Sequence, residues 1–236
     1  MKRGFLTGLL AASLALFTLG CGADKDSASA QLEKAMMAMD SGQYALAITY
    51  LDTLCPPPRT GCADEILSLV ADAQMGLAGV ELVNLIANLN AAAAGNSAAF
   101  NSIIALFGAG AIDATDVTNL ADSLATLQAV ATPTTSTQLQ TAVAAAAHLV
   151  ASVAVAADPD GDGVYNAGAV DQPLVDAVMS DLTVVVDSAA AVDTALGAGS
   201  NSSLTQDLNG LIADIEGPGG NGVIDVAELQ AFVGLL

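Results

Sequence analysis

TAVAAAAHLVASVAVAADPDGDGVYN, residues 141–166, changes character partway along its length. From Thr141 to Ala157 there is no charge, no glycine and no proline, only small and apolar residues interrupted by His148 and Ser152. Alanine is the best intrinsic helix former. A run of this length and dilute hydrophobicity predicts a central buried helix rather than a membrane span, which needs roughly 20 predominantly apolar residues. His148, the only histidine, reads as a partly exposed helix residue without a role. At Asp158 the helix pattern stops, and carboxylates begin to alternate with small residues: Asp158, Asp160, Asp162.

That alternation has a chemistry. A hard divalent cation takes six to eight oxygen ligands at about 2.3–2.6 Å. Side chains two apart around a tight loop converge on one point, and a glycine lets the chain turn back. Asp158, Asp160, Asp162 and Gly163 meet the pattern D-x-D-x-D-G, and over nine residues the loop resembles the EF-hand and related calcium loops. The resemblance implies Ca2+ as cofactor, with Val164 offering its carbonyl and Asn166 its side chain. It fails at the closing position, where Ala169 replaces the bidentate Glu and the nearest later carboxylate is Asp171. The competing reading is a solvated acidic turn that caps helices.

A partial echo of this loop occurs twice more. Gly110-Ala-Ile112-Asp113-Ala-Thr-Asp116 and Gly222-Val-Ile224-Asp225-Val-Ala-Glu228 both run from glycine to Ile, Asp and an acid three beyond, then into a helix. This resembles the second half of an EF-hand or dockerin loop. The first copy has Ala105, Phe107 and Ala109 where ligands belong, so Asp113 is best read as an N-cap. The C-terminal copy keeps a weaker candidate set: Asp214, Glu216, Asn221, Val223, Asp225 and Glu228. Its alternative is a Gly-rich turn with Asp225 capping a last helix over 226–236.

Working outward, Val117, Leu120, Leu124 and Leu127 keep helical spacing. So do Leu174, Val178, Leu182, Val185, Ala189, Val192 and Leu196. Asp122, Asp176, Asp181, Asp187 and Asp193 fall off these stripes. Pro133 and the stretch from Gly197 to Ser203 mark turns. Toward the N-terminus, Ala35, Gly42, Tyr44, Ala47, Ile48, Tyr50, Leu51 and Leu54 place small and bulky residues as a helical hairpin needs, with Gly42 at the bend. A second pair is expected over 65–77 and 80–89, with Ala71, Ala73 and Gly76 as close contacts. This region weakly resembles a tetratricopeptide repeat, a plain hairpin being the other reading. The expected fold is all-α: a helical bundle of stacked hairpins with EF-hand-like loop-helix units. Its expected segments are 31–95, tetratricopeptide-like, and 96–236, carrying the acidic loops.

The first twenty residues read as an address. Lys2 and Arg3 precede an apolar run from Phe5 to Leu19 that is short for a spanning helix. Gly20-Cys21 follows, and the segment resembles a bacterial lipoprotein signal, although Leu19 lies two rather than three residues before the cysteine. The resemblance implies lipidation at Cys21, a tether over 21–30, and residence in the bacterial cell envelope, at the outer membrane facing the periplasm or the cell surface. Cys55 and Cys62 bracket PPPRTG, and in an exported protein that pair is expected to close a small disulfide loop.

Charge narrows the partners. Against 25 acidic residues the chain has 5 basic ones, and removing residues 1–20 leaves Lys25, Lys34 and Arg59. Nothing beyond residue 59 carries a Lys or Arg to neutralise a phosphate backbone, which excludes nucleic acid and argues against anionic substrates. Catalysis finds little footing either, because no Ser, His and acid set can be grouped and no Trp offers a sugar platform. The expectation is a non-enzymatic, lipid-anchored protein that binds calcium and plays a structural or interaction role. The alternative is an envelope-assembly lipoprotein that grips a protein partner through its N-terminal helices.

Overall fold

A computed structural model of the chain describes residues 26–80, 112–162, 164–196, 213, 215–216 and 223–236. The fold is all-α, as expected, with no strand among the described residues. Its helices are α1 (Ala28–Asp40), α2 (Tyr44–Leu54), α3 (Asp64–Leu77), α4 (Ala114–Gln128), α5 (Thr135–Ala157), α6 (Gln172–Leu196) and α7 (Val226–Val233), with a 3-10 turn at Ala167–Ala169. Among the described helices, each from α1 to α6 packs mainly on the ones before and after it, the arrangement of stacked hairpins.

Local chemistry sets the helix ends. Ser27 accepts the Ala30 N–H at the start of α1, and Thr134 accepts that of Thr137 at the start of α5. Helices α1 and α3 both stop at a glycine with positive φ, Gly42 at 69° and Gly79 at 78°. After each, the chain donates back into the last turn: Gln43 to Ala38 and Gly42 to Met39, then Val80 to Met75 and Gly79 to Gly76. These are Schellman motifs, which satisfy carbonyls that a helix end would leave open. Gly42 is therefore the bend of the first hairpin. Of the second expected pair, the helix is present as α3; residues 81–89 lie outside the described residues, as does the turn expected over 197–203.

Small residues set the packing distances. A methyl group at Gly76 would overlap the ring of Tyr44, so α2 rests its first side chain directly on the α3 backbone. Cys55 and Cys62 are joined, with Cα atoms 5.6 Å apart, and Cys55 is buried with Leu67 and Val130. Arg59 closes over this loop, donating to the Cys55 carbonyl at 2.9 Å and pairing with Asp52 at 2.9 Å.

The main core takes Ala71, Met75, Ala78 and Val80 together with side chains of α4, α5, α6 and α7, so it runs across the segment boundary drawn near residue 95. Leu120, Leu149, Val178 and Leu229 are fully buried within it. Helix α5 is long and apolar enough to cross a bilayer, yet most of its side chains are buried inside the bundle. Eight of its alanines, from Ala142 to Ala157, are among them.

One expectation is corrected. Asp181 does not sit off the seam: it is 4% exposed, and its Oδ2 lies 2.7 Å from Nδ1 of His148. The α5–α6 hairpin brings these two positions into register, and a buried carboxylate needs such a partner. His148 accordingly has a structural role that its alanine-rich surroundings conceal.

Candidate metal centre

The bend between α5 and α6 is built from the residues that end one helix and start the next. Asp158 is the C-cap of α5, its N–H still donating to Ala154 at 2.8 Å. Pro159 comes next, and Gly161, with φ of 68°, reverses the chain. Asn166 then donates its backbone N–H to the Ala157 carbonyl at 2.6 Å, which closes the loop at its neck. Inside that ring, Asp158 accepts from the Asp162 N–H at 3.0 Å and Asp162 from the Val164 N–H at 2.8 Å. The result is that one carboxylate oxygen from each of Asp158, Asp160 and Asp162 lies within 4.8 Å of the others. Asp158 is half-buried, while Asp160 and Asp162 are exposed.

Three like charges at this spacing repel, though water screens the two outer ones. Tyr165 registers the local field: burial, then the charge of Asp158, pushes its hydroxyl above the ordinary tyrosine range. The donor set is all oxygen, which suits a hard divalent cation better than zinc or copper. It is also short of a full calcium shell, and of the other expected ligands Asn166 and Asp171 each accept from a backbone N–H. Asn166 Oδ1 accepts from Gly168 at 3.0 Å and starts the 3-10 turn. Asp171 Oδ1 accepts from Leu174 at 3.0 Å and caps α6. Val164 is exposed at 69%, and Gly163 lies outside the described residues.

The two echoes of this loop turn their carboxylates to a different task. Asp113 accepts from the N–H groups of Thr115 and Asp116 at 2.6 and 3.1 Å, while the Asp116 carboxylate accepts from the Asp113 N–H at 3.0 Å. At α7, Asp225 accepts from Glu228 N–H at 2.9 Å, and Glu228 Oε2 accepts from Asp225 N–H at 3.0 Å. Both are capping boxes. Each is backed by an apolar pair in the hydrophobic-staple positions, Ile112 with Val117 and Ile224 with Leu229, all four joining the main core. The backbone donors hold the Asp113 carboxyl below its usual range, whereas burial, together with the charge of Asp113, raises that of Asp116.

Of the weaker candidate set, Asp225 and Glu228 are thus paired reciprocally with backbone, Val223 is exposed and Glu216 is half-buried beside the buried Ile215. Asp214 and Asn221 lie outside the described residues, as does Cys21.

Two polar groupings besides His148 and Asp181 carry no signature in the sequence. Asp64 opens α3 and reaches across to the turn before α5, accepting from the N–H groups of Ala131 and Thr132 at 3.0 Å each and from the Thr132 hydroxyl. Asp72, two turns further, accepts from Gln140 of α5 at 2.9 Å. Both carboxylates follow from α3 lying beside the start of α5, a juxtaposition between positions some 67 or 68 apart that no local motif signals. The chain matches no family model, no curated protein sequence and no solved structure.

Proposed function

We propose that this is an exported, lipid-anchored, non-enzymatic protein whose α5–α6 bend binds calcium and so stiffens a helical structural or interaction module of the cell envelope. The observation that carries this reading is the convergence of Asp158, Asp160 and Asp162 within 4.8 Å at the bend that joins the two longest of the described helices. A bound cation would be held by those three carboxylates, with carbonyl or water oxygens completing its shell. It supplies positive charge where three negative charges crowd. Cys21 would carry the lipid, and the stapled Cys55–Cys62 loop suits an oxidising compartment.

Isothermal titration of the mature protein with calcium tests the reading, with Asp160→Ala as control. Binding near one ion per chain that is abolished in the variant supports it, and no heat of binding in the wild type sinks it. Membrane fractionation of Cys21→Ser separately tests the anchor, since the variant should leave the membrane fraction.

A second reading, a protein partner held by the N-terminal helices, is favoured by the exposure of Met37 and Leu46, 63% and 40%, in the groove between α1 and α2 that Lys34 and Tyr50 also line. Site-specific crosslinking from position 37 of the full chain in its native envelope tests it. A discrete adduct lost in Leu46→Glu supports this use of the groove, and no adduct counts against it.

A further inference from the structure

A cleft of about 480 Å³ lies between the first two turns of α3 and the start of α5. Asp64, Glu65 and Asp72 line it from α3, and Thr132, Thr137 and Gln140 line it from the other side. Gln140 is 7% exposed, and its amide donates to Asp72 Oδ1 at 2.9 Å, the one side-chain bond seen between these two helices among the described residues. Among the described residues, no cation lines the cleft. The charged groups of the other elements packed on α3 face elsewhere: Arg59 pairs with Asp52, Arg59 and Asp122 line a separate cleft under the proline loop, and Lys34 lies over Tyr50. On α5, His148 is held by Asp181. Among the described residues, the charged groups lining the cleft with Asp72 are therefore Asp64 and Glu65, both of its own sign, beside an amide that bonds it whether it is charged or neutral.

We propose that the Asp72–Gln140 clasp sits at an acid-strengthened junction between α3 and α5: a proton taken up by Asp72 relieves a half-buried charge and stabilises the packing of the N-terminal hairpins on the α5–α6 pair as the surroundings become mildly acidic, while the amide bond is kept in both states. A half-buried carboxylate such as Asp72, among other carboxylates and with no cation lining its cleft among the described residues, is eased by taking up a proton. Asp64 does not compete for that proton, because the Thr132 hydroxyl and the Ala131 and Thr132 N–H groups hold its carboxyl below the usual range. Burial pushes Asp72 up to about 6, against which the Gln140 amide pulls down. The folded value lies above the ordinary 3.8, so the native state holds a proton that the unfolded chain has released. The stabilisation from this group is fully present below pH 3.8 and is lost as pH rises through about 6.

The test compares thermal and urea unfolding of the mature wild type and Asp72→Asn from pH 4.5 to 7.5, all in chelator so that the Asp158 loop contributes equally. Asparagine is permanently neutral. At pH 7.5 the variant should have the larger folding equilibrium constant, by roughly tenfold to a hundredfold, since one pKa unit corresponds to a factor of ten. The difference should close as pH falls. A variant equal to or weaker than wild type at pH 7.5, or a difference that does not change with pH, overturns the proposal. Carbon-13 detection of the Asp72 carboxyl provides a readout that does not depend on the variant folding. A titration midpoint near that of an exposed aspartate overturns the clasp, and a midpoint well above it, rising further in Gln140→Leu, supports it.

Discussion

The bend at Asp158–Asn166 and the starts of α4 and α7 are written around the same glycine, apolar residue and Asp or Asn, yet they carry their acids on opposite sides of that glycine. At Asp113/Asp116 and Asp225/Glu228 each acid turns back onto a backbone N–H and is consumed by the helix it opens. At Asp158, Asp160 and Asp162 the acids turn toward one another. The difference lies in the residues just after the glycine. Where an apolar residue can be buried beneath a new helix, as Ile224 is at 2% exposure, the chain folds inward and the acid three residues after the Asp becomes its partner. At the α5–α6 bend the matching positions are Tyr165, which also packs on the main core, and Asn166, which starts only a 3-10 turn; Ala169 offers no acid three residues on, α6 begins at Gln172, and the carboxylates stand before the glycine.

The contrast can be broken most forcefully at its apolar member. Ile224→Ala should lower stability in urea melts by about 2–5 kcal/mol, by the same amount in calcium and in chelator, because the side chain serves α7 and not an ion. Next in size is the ion itself: at a hundredfold excess over Kd, calcium should stabilise the wild type by about 2.7 kcal/mol, a rise of several degrees in Tm that chelator reverses. Asp160→Ala should lose that increment while melting close to wild type in chelator. Asp225→Ala removes a cap and should cost about 1 kcal/mol without altering calcium stoichiometry; a drop in stoichiometry would turn the C-terminal loop into a metal site and abolish the distinction. The smallest effect belongs to Asp113. Its carboxyl is held below 3.8 in the fold, so its share of stability is present above that pH and lost as pH falls through the depressed value. Asp113→Asn, which keeps the cap, should flatten the acid limb of the stability profile below pH 4.

Much of the fold was legible because it obeys local rules. The stripe through Val178, Leu182, Val185 and Ala189 is buried as its spacing demands, Gly42 bends the first hairpin, and the cysteine pair is joined. The acidic loop was legible as three converging carboxylates, again a local matter. Its two echoes were legible only in part, because an acid three residues after an Asp serves a calcium loop and a capping box equally, and the recipient, metal or backbone N–H, is not written in the side chains. Asp72 with Gln140 and Asp181 with His148 were hidden for another reason. Each depends on the register between two helices, and a single polar residue on a helix gives no sign of what stands opposite it.

The methyl groups lining α5 carry one more consequence. Alanine has no side-chain rotamers to lose, so ordering Ala142, Ala144, Ala145, Ala147, Ala151 and Ala157 against α4 and α6 costs the chain only its backbone freedom. The same residues bring little apolar area each. The centre of this bundle is therefore easily ordered rather than strongly driven, and its definition rests on the few large side chains threaded through it, Leu120, Leu149 and Leu229 foremost, which index where each helix sits on the next.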